Sequence, residues 1–319
     1  MQSNLRLGAA LTAVALAACV DSQAPQETGT PSSEPNRSGS LPTVSYLSTA
    51  KQPPLDSDPA RFNITLRFVN PPTTTQRSAF FDASLKWSSV ITGDVPATTG
   101  LIPKKACGAK FGAPKFLGTI DDVLIDVILA PIDGPGNVLG AAGPCLVRNE
   151  DLLTVYGIMF FDTDDLDFLE DFDLLDLVVV HEMGHVLGFG TLWNFTAPVL
   201  VGVPATPRFT GPLARAEYGA LLGTGPTDVP VEEDGGPGTA FGHWDEETFD
   251  NELMTGFISL GESPLSRVTV GSMGDLGYEV NLGAADDYEL PAAPLAALRA
   301  AVSKIHLREE LITPIGVVQ

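Results

Sequence analysis

The stretch His181-Glu182-Met183-Gly184-His185 continues an apolar segment, residues 173–180, that is typical of a buried helix. On a helix, residues four positions apart lie on the same face, so His181 and His185 can bind one metal ion. Glu182 can then reach a water molecule on that metal and act as general base. The pattern predicts zinc-dependent hydrolysis of peptide bonds. In the alternative, the histidines are only packed in a core helix, but core packing does not require the adjacent carboxylate.

A catalytic zinc ion usually takes three protein ligands and leaves the fourth position to water, so a third ligand is needed. Thr191 occupies the position at which a compact HExxHxxGxxH motif has its third histidine. The chain has only 4 histidines, which makes His243 the leading candidate and His306 a second one. A glutamate is the alternative third ligand, and the nearest are Glu246, Glu247 and Glu252. The sequence shows no convincing fourth ligand of the kind that a closed structural zinc site has.

The order of these motifs resembles the leishmanolysin-like branch of the metzincin metallopeptidases. Gly188 matches the glycine of that family's motif, and residues 189–242 match the insertion before its third histidine. Glu252-Leu-Met-Thr-Gly256 matches its methionine-containing turn. Three further segments fit the same layout, namely residues 132–136, 142–145 and 274–278. The resemblance covers the chain from about residue 62 to residue 291.

This resemblance implies a zinc endopeptidase that acts on proteins or peptides. By family, one catalytic zinc ion is bound by His181, His185 and His243, Glu182 is the base, and Met254 belongs to the supporting turn. Without the family, Met254 is an ordinary core methionine, and both interpretations make it a packing residue. The implied fold is α/β (α+β): a metzincin-like catalytic domain with a twisted mixed sheet, the active-site helix and a C-terminal subdomain.

The apolar pattern predicts several other elements. Residues 61–69 alternate as a strand does, and residues 155–161 indicate another strand. Residues 121–131 are almost continuously apolar and therefore predict an interior strand. Helices are predicted at residues 73–91, 211–223 and 294–303, the first with Phe80, Phe81, Leu85 and Trp87 on one stripe. For the active-site helix, Asp171 or Asp173 is the predicted cap, and Gly188 and Gly190 supply the end.

The N-terminus predicts export. The apolar run at residues 7–18 is too short to span a bilayer and is typical of a signal peptide. Leu16-Ala17-Ala18-Cys19 resembles a bacterial lipobox, in which Cys19 is the lipidated first residue after cleavage. Val20 then favours the outer membrane or cell surface, and the only contact with a membrane is the lipid. The alternative is an ordinary secretory signal and a secreted protein.

Composition, together with the resemblance, divides the chain into four parts. A lipoprotein signal peptide (1–18) precedes a flexible tether rich in Pro and Ser (19–60), which has too few apolar residues to fold. The zinc metallopeptidase domain follows at 61–290, with the insertion at 189–242. Residues 291–319 are expected to form a C-terminal helix and tail.

The cysteines agree with an exported protein. Once Cys19 is assigned to the lipid, Cys107 and Cys145 remain as a pair, and a disulfide between them is the favoured prediction. Two alternatives remain open. Both cysteines can be free thiols, or Cys107 can mask the zinc in a latent form.

The formal net charge of −22 indicates which partners to exclude. Between Arg148 and Arg208 the chain has no Lys or Arg, which argues against binding of nucleic acid or of anionic membranes through basic patches. The acidic run at residues 162–176 raises the alternative of a calcium site. Asp167 stands where an EF-hand needs its glycine, so solvated acidic surface is the favoured interpretation.

Overall fold

The computed structural model describes residues 43–44, 60–195, 198–291 and 304–318. The strands are β1 (Thr43–Val44), β2 (Ile64–Phe68), β3 (Thr98–Ile102), β4 (Phe116–Ile120), β5 (Val123–Ala130), β6 (Gly140–Arg148), β7 (Thr154–Asp162), β8 (Leu200–Val201), β9 (Arg208–Phe209), β10 (Val229–Pro230), β11 (Phe257–Ser259), β12 (Lys304–His306), β13 (Glu310–Leu311) and β14 (Gly316–Val318). The helices are α1 (Thr74–Val90), α2 (Thr163–Asp171), α3 (Leu175–Leu187), α4 (Pro212–Leu221), α5 (Glu246–Phe249) and α6 (Arg267–Leu276).

The largest sheet has seven strands and mixed directions. Its order is β1-β14-β6-β7-β5-β2, and β13 also pairs with β6. Strands β2, β5 and β7 run parallel to one another, whereas β6 runs antiparallel to β7. On its other side, β6 pairs with β13 and β14, which run parallel to it. This mixed sheet with its helices confirms the predicted α/β fold class.

Strand β5 lies in the interior, as its apolar sequence predicts. Ile125 and Val127 join the core that contains the buried faces of α1 and α3. Leu124 and Ile128 join a second core on the opposite face of the sheet. Because successive strand residues point to opposite faces, a strand covered on both sides must be apolar at nearly every position.

Helix α1 starts with a capping box, in which Thr73 and Gln76 each satisfy the other's backbone N–H. Phe80 and Trp87 are fully buried, because residues seven positions apart lie on one face of a helix. Phe81 and Leu85 are 50% and 67% exposed, so the prediction of a single stripe was wrong for these two residues. They lie on the neighbouring face, which is not covered.

Helix α3 carries the two motif histidines. Its N-cap is Leu174, without a side-chain cap, so the prediction of an aspartate cap was wrong. Asp173 instead has a φ of 56° in the turn before the helix. The helix ends at Gly188, whose φ of 118° is a left-handed conformation that favours glycine. Helix α4 falls within the predicted 211–223, and the helix predicted at 294–303 lies outside the described residues.

The last described residues belong to the folded domain. Residues 304–318, which we expected in a C-terminal helix and tail, supply β12, β13 and β14. β12 pairs with β11, whereas β13 and β14 extend the large sheet beyond β6.

The signal peptide, Cys19 and nearly all of the tether lie outside the described residues, so these features stay predictions. None of the helices in the described ranges is long and apolar enough to cross a membrane.

Candidate metal centre

Successive turns of α3 place His181 and His185 side by side, with their Nε2 atoms 3.0 Å apart. The turn between them is in close contact with its surroundings. A Cβ on Gly184 would lie 2.8 Å from Cζ2 of Trp87 and 3.0 Å from Cε of Met254. Real Cβ atoms rarely come so close, so glycine lets the helix settle against α1 and against the chain around Met254. The histidines are therefore held on a rigid, buried element.

The third histidine, His243, lies 58 residues after His185 in the sequence. The hydroxyl of Thr191 donates to the carbonyl of His185 at 2.7 Å, so this residue closes the end of the helix. Aromatic rings then hold the insertion against the chain that follows it. Trp193 of the insertion stacks on Trp244, with the ring centroids 5.2 Å apart. The indole N–H of Trp244 donates to Thr269 at 2.8 Å. Because Trp244 is fixed in this way, His243 beside it is brought over the end of α3.

The three histidines converge on one point. The Nε2 atom of His243 lies 3.2 Å from that of His181 and 3.0 Å from that of His185. Their Nδ1 atoms lie within hydrogen-bond distance of backbone carbonyls, with distances of 2.7 Å (Leu253), 2.9 Å (Phe189) and 2.9 Å (Thr239). A carbonyl only accepts, so each Nδ1 carries the proton, and in a neutral ring each Nε2 then presents a lone pair. Three lone pairs at such distances repel one another unless a cation lies between them, and this is the arrangement of a metal site.

A carboxylate completes this group. Oε1 of Glu309 lies 2.7 Å from Nε2 of His243 and 3.4 Å from Nε2 of His181, and Oε2 lies 3.3 Å from Nε2 of His185. The four side chains are buried, and their ligand atoms all lie within 4.8 Å of one another. Burial raises the pKa of Glu309, but the three histidines outweigh it and hold the pKa well below its ordinary value. Three imidazoles and one carboxylate are a donor set that suits zinc.

Glu182 lies beside this group and is buried. Glu309 is its hydrogen-bond partner, and no other donor in the described structure reaches its oxygens. Burial, and secondly the charge of Glu309, raise the pKa of Glu182 well above its ordinary value. A Cβ on Gly140 would lie 3.8 Å from Oε1 of Glu182, so the carboxyl group faces the start of β6. A buried carboxyl group with a raised pKa beside a candidate metal site is a candidate for acid–base chemistry.

A family model described as leishmanolysin matches residues 97–290, which is more than half of the chain. The chain belongs to the leishmanolysin family. This is a family of metallopeptidases, so the predicted resemblance is confirmed. The matched range includes the three clustered histidines and Glu182, whereas Glu309 follows it. No curated protein shows significant similarity to the chain.

Within the leishmanolysin match, Met254 is fully buried against Gly184 of α3. The preceding residue, Leu253, supplies the carbonyl that accepts from His181. The N–H of Met254 donates to Oε2 of Glu252 at 2.6 Å, and Oε1 of Glu252 accepts from Ser266 and Thr269 of the α6 region. The turn therefore holds the ring of His181 through the carbonyl of Leu253, and Glu252 holds the turn in place.

The other candidate ligands of this leishmanolysin-family chain lie outside the cluster. His306 pairs with the hydroxyl of Thr239 at 2.8 Å and stacks on Phe257. Glu246 forms an ion pair with Lys304, and Glu247 is exposed. Together with the buried bonds of Glu252, this leaves His243 as the predicted third ligand that the structure brings to His181 and His185.

Cys107 and Cys145 form a disulfide, with a Cα–Cα distance of 5.1 Å. The alternatives of two free thiols and of Cys107 masking the metal were therefore wrong. Cys145 lies in β6, so the bond joins this strand to the loop that follows β3.

Two aspartates of the acidic run at residues 162–176 accept hydrogen bonds from the backbone. Asp162 accepts backbone N–H groups from Asp133 and Gly134, and Asp165 accepts from Gly136 at 2.6 Å. These bonds fasten a glycine-rich turn to the start of α2. Among the described residues, the run belongs to no group of three ligands around one point, so a calcium site there has no support.

The fourth residue of the cluster was missed. The expectation of no convincing fourth ligand was wrong, because Glu309 reaches the histidines from residues beyond the predicted domain. A single glutamate carries no motif, and its 128-residue separation from His181 leaves no local pattern to detect.

Proposed function

We propose that this leishmanolysin-family chain is a zinc-dependent endopeptidase, with His181, His185 and His243 as zinc ligands and Glu182 as general base. The observation that carries the proposal is the convergence of three Nε2 atoms beside the buried carboxyl group of Glu182. Zinc, when bound, lowers the pKa of a water molecule to about 7 and polarises the carbonyl of a peptide bond.

The residues of the chain have distinct tasks in this proposal. The carbonyls of Leu253, Phe189 and Thr239 orient the three rings and fix the proton on Nδ1. Glu182 accepts the proton of the attacking water on a carboxylate oxygen and delivers it to the nitrogen of the leaving amine. Burial around Glu182 excludes bulk water, which strengthens electrostatic interactions in the site. Proteins and peptides are the proposed substrates.

A second candidate is a zinc-stabilised adhesion or binding protein without peptidase activity. Glu309 favours it, because structural zinc sites are normally closed by four protein ligands. A structural site, however, has no need for a second buried carboxyl group beside its four ligands. We therefore place the peptidase first.

A peptide mixture tests the proposal, with zinc content measured in every sample. The chain and its Glu309→Ala variant are each compared with a matched form that also carries Glu182→Gln. We expect at least one of the two chains that keep Glu182 to cleave peptides. Its Glu182→Gln counterpart should cleave them about 100-fold or more slowly, since general bases contribute about 10²- to 10⁴-fold to the rate. Equal zinc content with no Glu182-dependent cleavage in any form would favour the binding protein.

We also propose that the protein is exported and held at the outer membrane or cell surface by a lipid on Cys19. The lipobox-like sequence at residues 16–19 supports this, and a disulfide is typical of exported proteins. Cys19→Ala should release the protein from the membrane fraction. Unchanged membrane association of this variant would contradict the proposal.

A further inference from the structure

Glu309 belongs to a segment that crosses the candidate metal centre. We call residues 304–318 the C-terminal strap. At one end, β12 pairs with β11, and Lys304 forms ion pairs with Glu246 and, at 2.6 Å, with Asp250. Leu307 is fully buried, and its N–H donates to the carbonyl of Gly256. The strap is thus anchored directly before it delivers Glu309 to the histidines.

Beyond Glu309, the strap pairs with β6, and its last strand, β14, lies between β6 and β1. Glu310 and Leu311 lie opposite Ala141 and Ala142 of β6, and residues 316–318 lie opposite 146–148. The N–H groups of Ile312 and Ile315 donate to β6 carbonyls at 2.8 and 3.0 Å. An exposed strand edge is a common site at which an extended peptide binds. Because β6 begins beside Glu182, its edge would guide such a peptide past the general base.

The surface under the strap is shaped to fit it. A Cβ on Gly143 would overlap the carbonyl oxygen of Ile312, and a Cβ on Gly238 would overlap the carbonyl oxygen of Glu309. Both glycines have a positive φ, 152° and 94°. A side chain at either position would push the strap away, so glycine permits a close backbone contact. The fit involves both β6 and the chain that leads to His243.

We propose that the C-terminal strap is a built-in inhibitor that keeps the enzyme latent, with Glu309 as a fourth ligand to the metal. The inference rests on the proposed function. Glu309 takes the position that a catalytic zinc ion leaves to water, and β13 and β14 take the edge of β6 that a substrate would use. Release of the strap would free both places at once, while the three histidines and Glu182 remain on the domain.

Access of a small ligand to the metal tests this proposal separately from peptide cleavage. In the full chain, cobalt replaces zinc, and acetohydroxamate is titrated while the visible absorption of the cobalt is followed. The parent is compared with Glu309→Gln, which keeps the side-chain volume but removes the charge. Glu247→Ala is the matched control, because Glu247 is exposed and lies outside both the strap and the histidine cluster.

We expect acetohydroxamate to bind Glu309→Gln more tightly than the parent or Glu247→Ala. The difference is about 100-fold if the strap is open in about one parent molecule in a hundred. Equal affinity of the parent and Glu309→Gln would overturn the proposal. Loss of cobalt from a folded Glu309→Gln chain would also overturn it, because a latency ligand must be dispensable for holding the metal.

A second variant leaves Glu309 in place. Ile312→Pro removes the N–H that donates to Ala142, so the strap should loosen and the affinity for acetohydroxamate should rise. An unchanged affinity for acetohydroxamate in a folded Ile312→Pro chain would count against the proposal that the strap blocks the metal.

Peptide cleavage by the same chains, with zinc, separates the two proposals. If Glu309→Gln opens the metal but cleaves nothing, the strap is supported and the peptidase function fails. If the parent cleaves peptides as fast as Glu309→Gln, the strap proposal fails and the peptidase function stands.

Discussion

Each clustered histidine uses Nδ1 for a backbone carbonyl, and these bonds are what make the three rings suitable for a metal. We expect His243→Ala to lower zinc affinity by at least about 100-fold, because even the loss of an outer partner costs about 10- to 100-fold. Glu252→Gln should lower zinc affinity less than His243→Ala does, since Glu252 lies outside the cluster and affects His181 only through the turn that it holds. Competition with a chromophoric chelator measures both affinities. An unchanged His243→Ala affinity would refute the assignment of this ligand.

Asp122 predicts a pH effect on stability. Burial raises its pKa from 3.8 to about 6, although the N–H groups of Val95 and Asn63 partly oppose this by donating to its carboxylate. As the pH rises between these values, the unfolded chain loses the proton before the folded chain does. The contribution of Asp122 to the free energy of unfolding should therefore fall, by at most about 3 kcal/mol.

Asp122→Asn is the matched variant, because asparagine tolerates the φ of 55° at this position. Urea unfolding of both chains from about pH 4 to about pH 7 should show the parent losing stability relative to the variant. Parallel pH profiles would contradict the expected shift.

The residues of the histidine cluster differ in how far the sequence alone could predict them. His181 and His185 follow from helix periodicity, since residues four positions apart share a face, and Glu182 follows from the motif. His243 follows from the small number of histidines, and the structure brings it to the other two. Glu309 could not be found in this way, because only the path of the strap over β6 brings it to the site.

At the level of elements, the disulfide fastens β6, the strand that borders both Glu182 and the strap. Replacing both Cys107 and Cys145 with alanine should lower the free energy of unfolding by about 4 kcal/mol, because the unfolded chain then loses a closed loop of nearly 40 residues. Urea unfolding of the variant and the oxidised parent measures the difference. Equal midpoints and slopes would show that the disulfide contributes little to the free energy of unfolding.

Strand β6 also shows why some elements escape prediction from sequence. Gly140, Gly143 and Pro144 are typical of turns, so the segment does not read as a strand. Its pairing with β7 contains a register shift after Pro144, which accommodates the missing N–H of the proline. The interior strand β5 was predictable, in contrast, because burial on both faces leaves a continuous apolar run.

For the whole molecule, a bound metal would connect three distant parts of the chain: α3, the end of the insertion and the strap. Zinc should therefore raise the free energy of unfolding, by about 4 kcal/mol at a free concentration 1,000 times the Kd. Thermal unfolding with added zinc and with a chelator measures this. His243→Ala is the control and should respond little. A parent chain whose Tm is the same under both conditions would exclude this cross-link.

The covalent attachment of the strap has a consequence for how such an enzyme would respond to its environment. A separate inhibitor protein dissociates on dilution, but a ligand on the same chain keeps a constant effective concentration, on the order of millimolar for short flexible connections. Dilution of the protein would then leave the fraction of latent molecules unchanged. A competing peptide would have to exceed this local concentration, so abundant substrate would be favoured over scarce substrate.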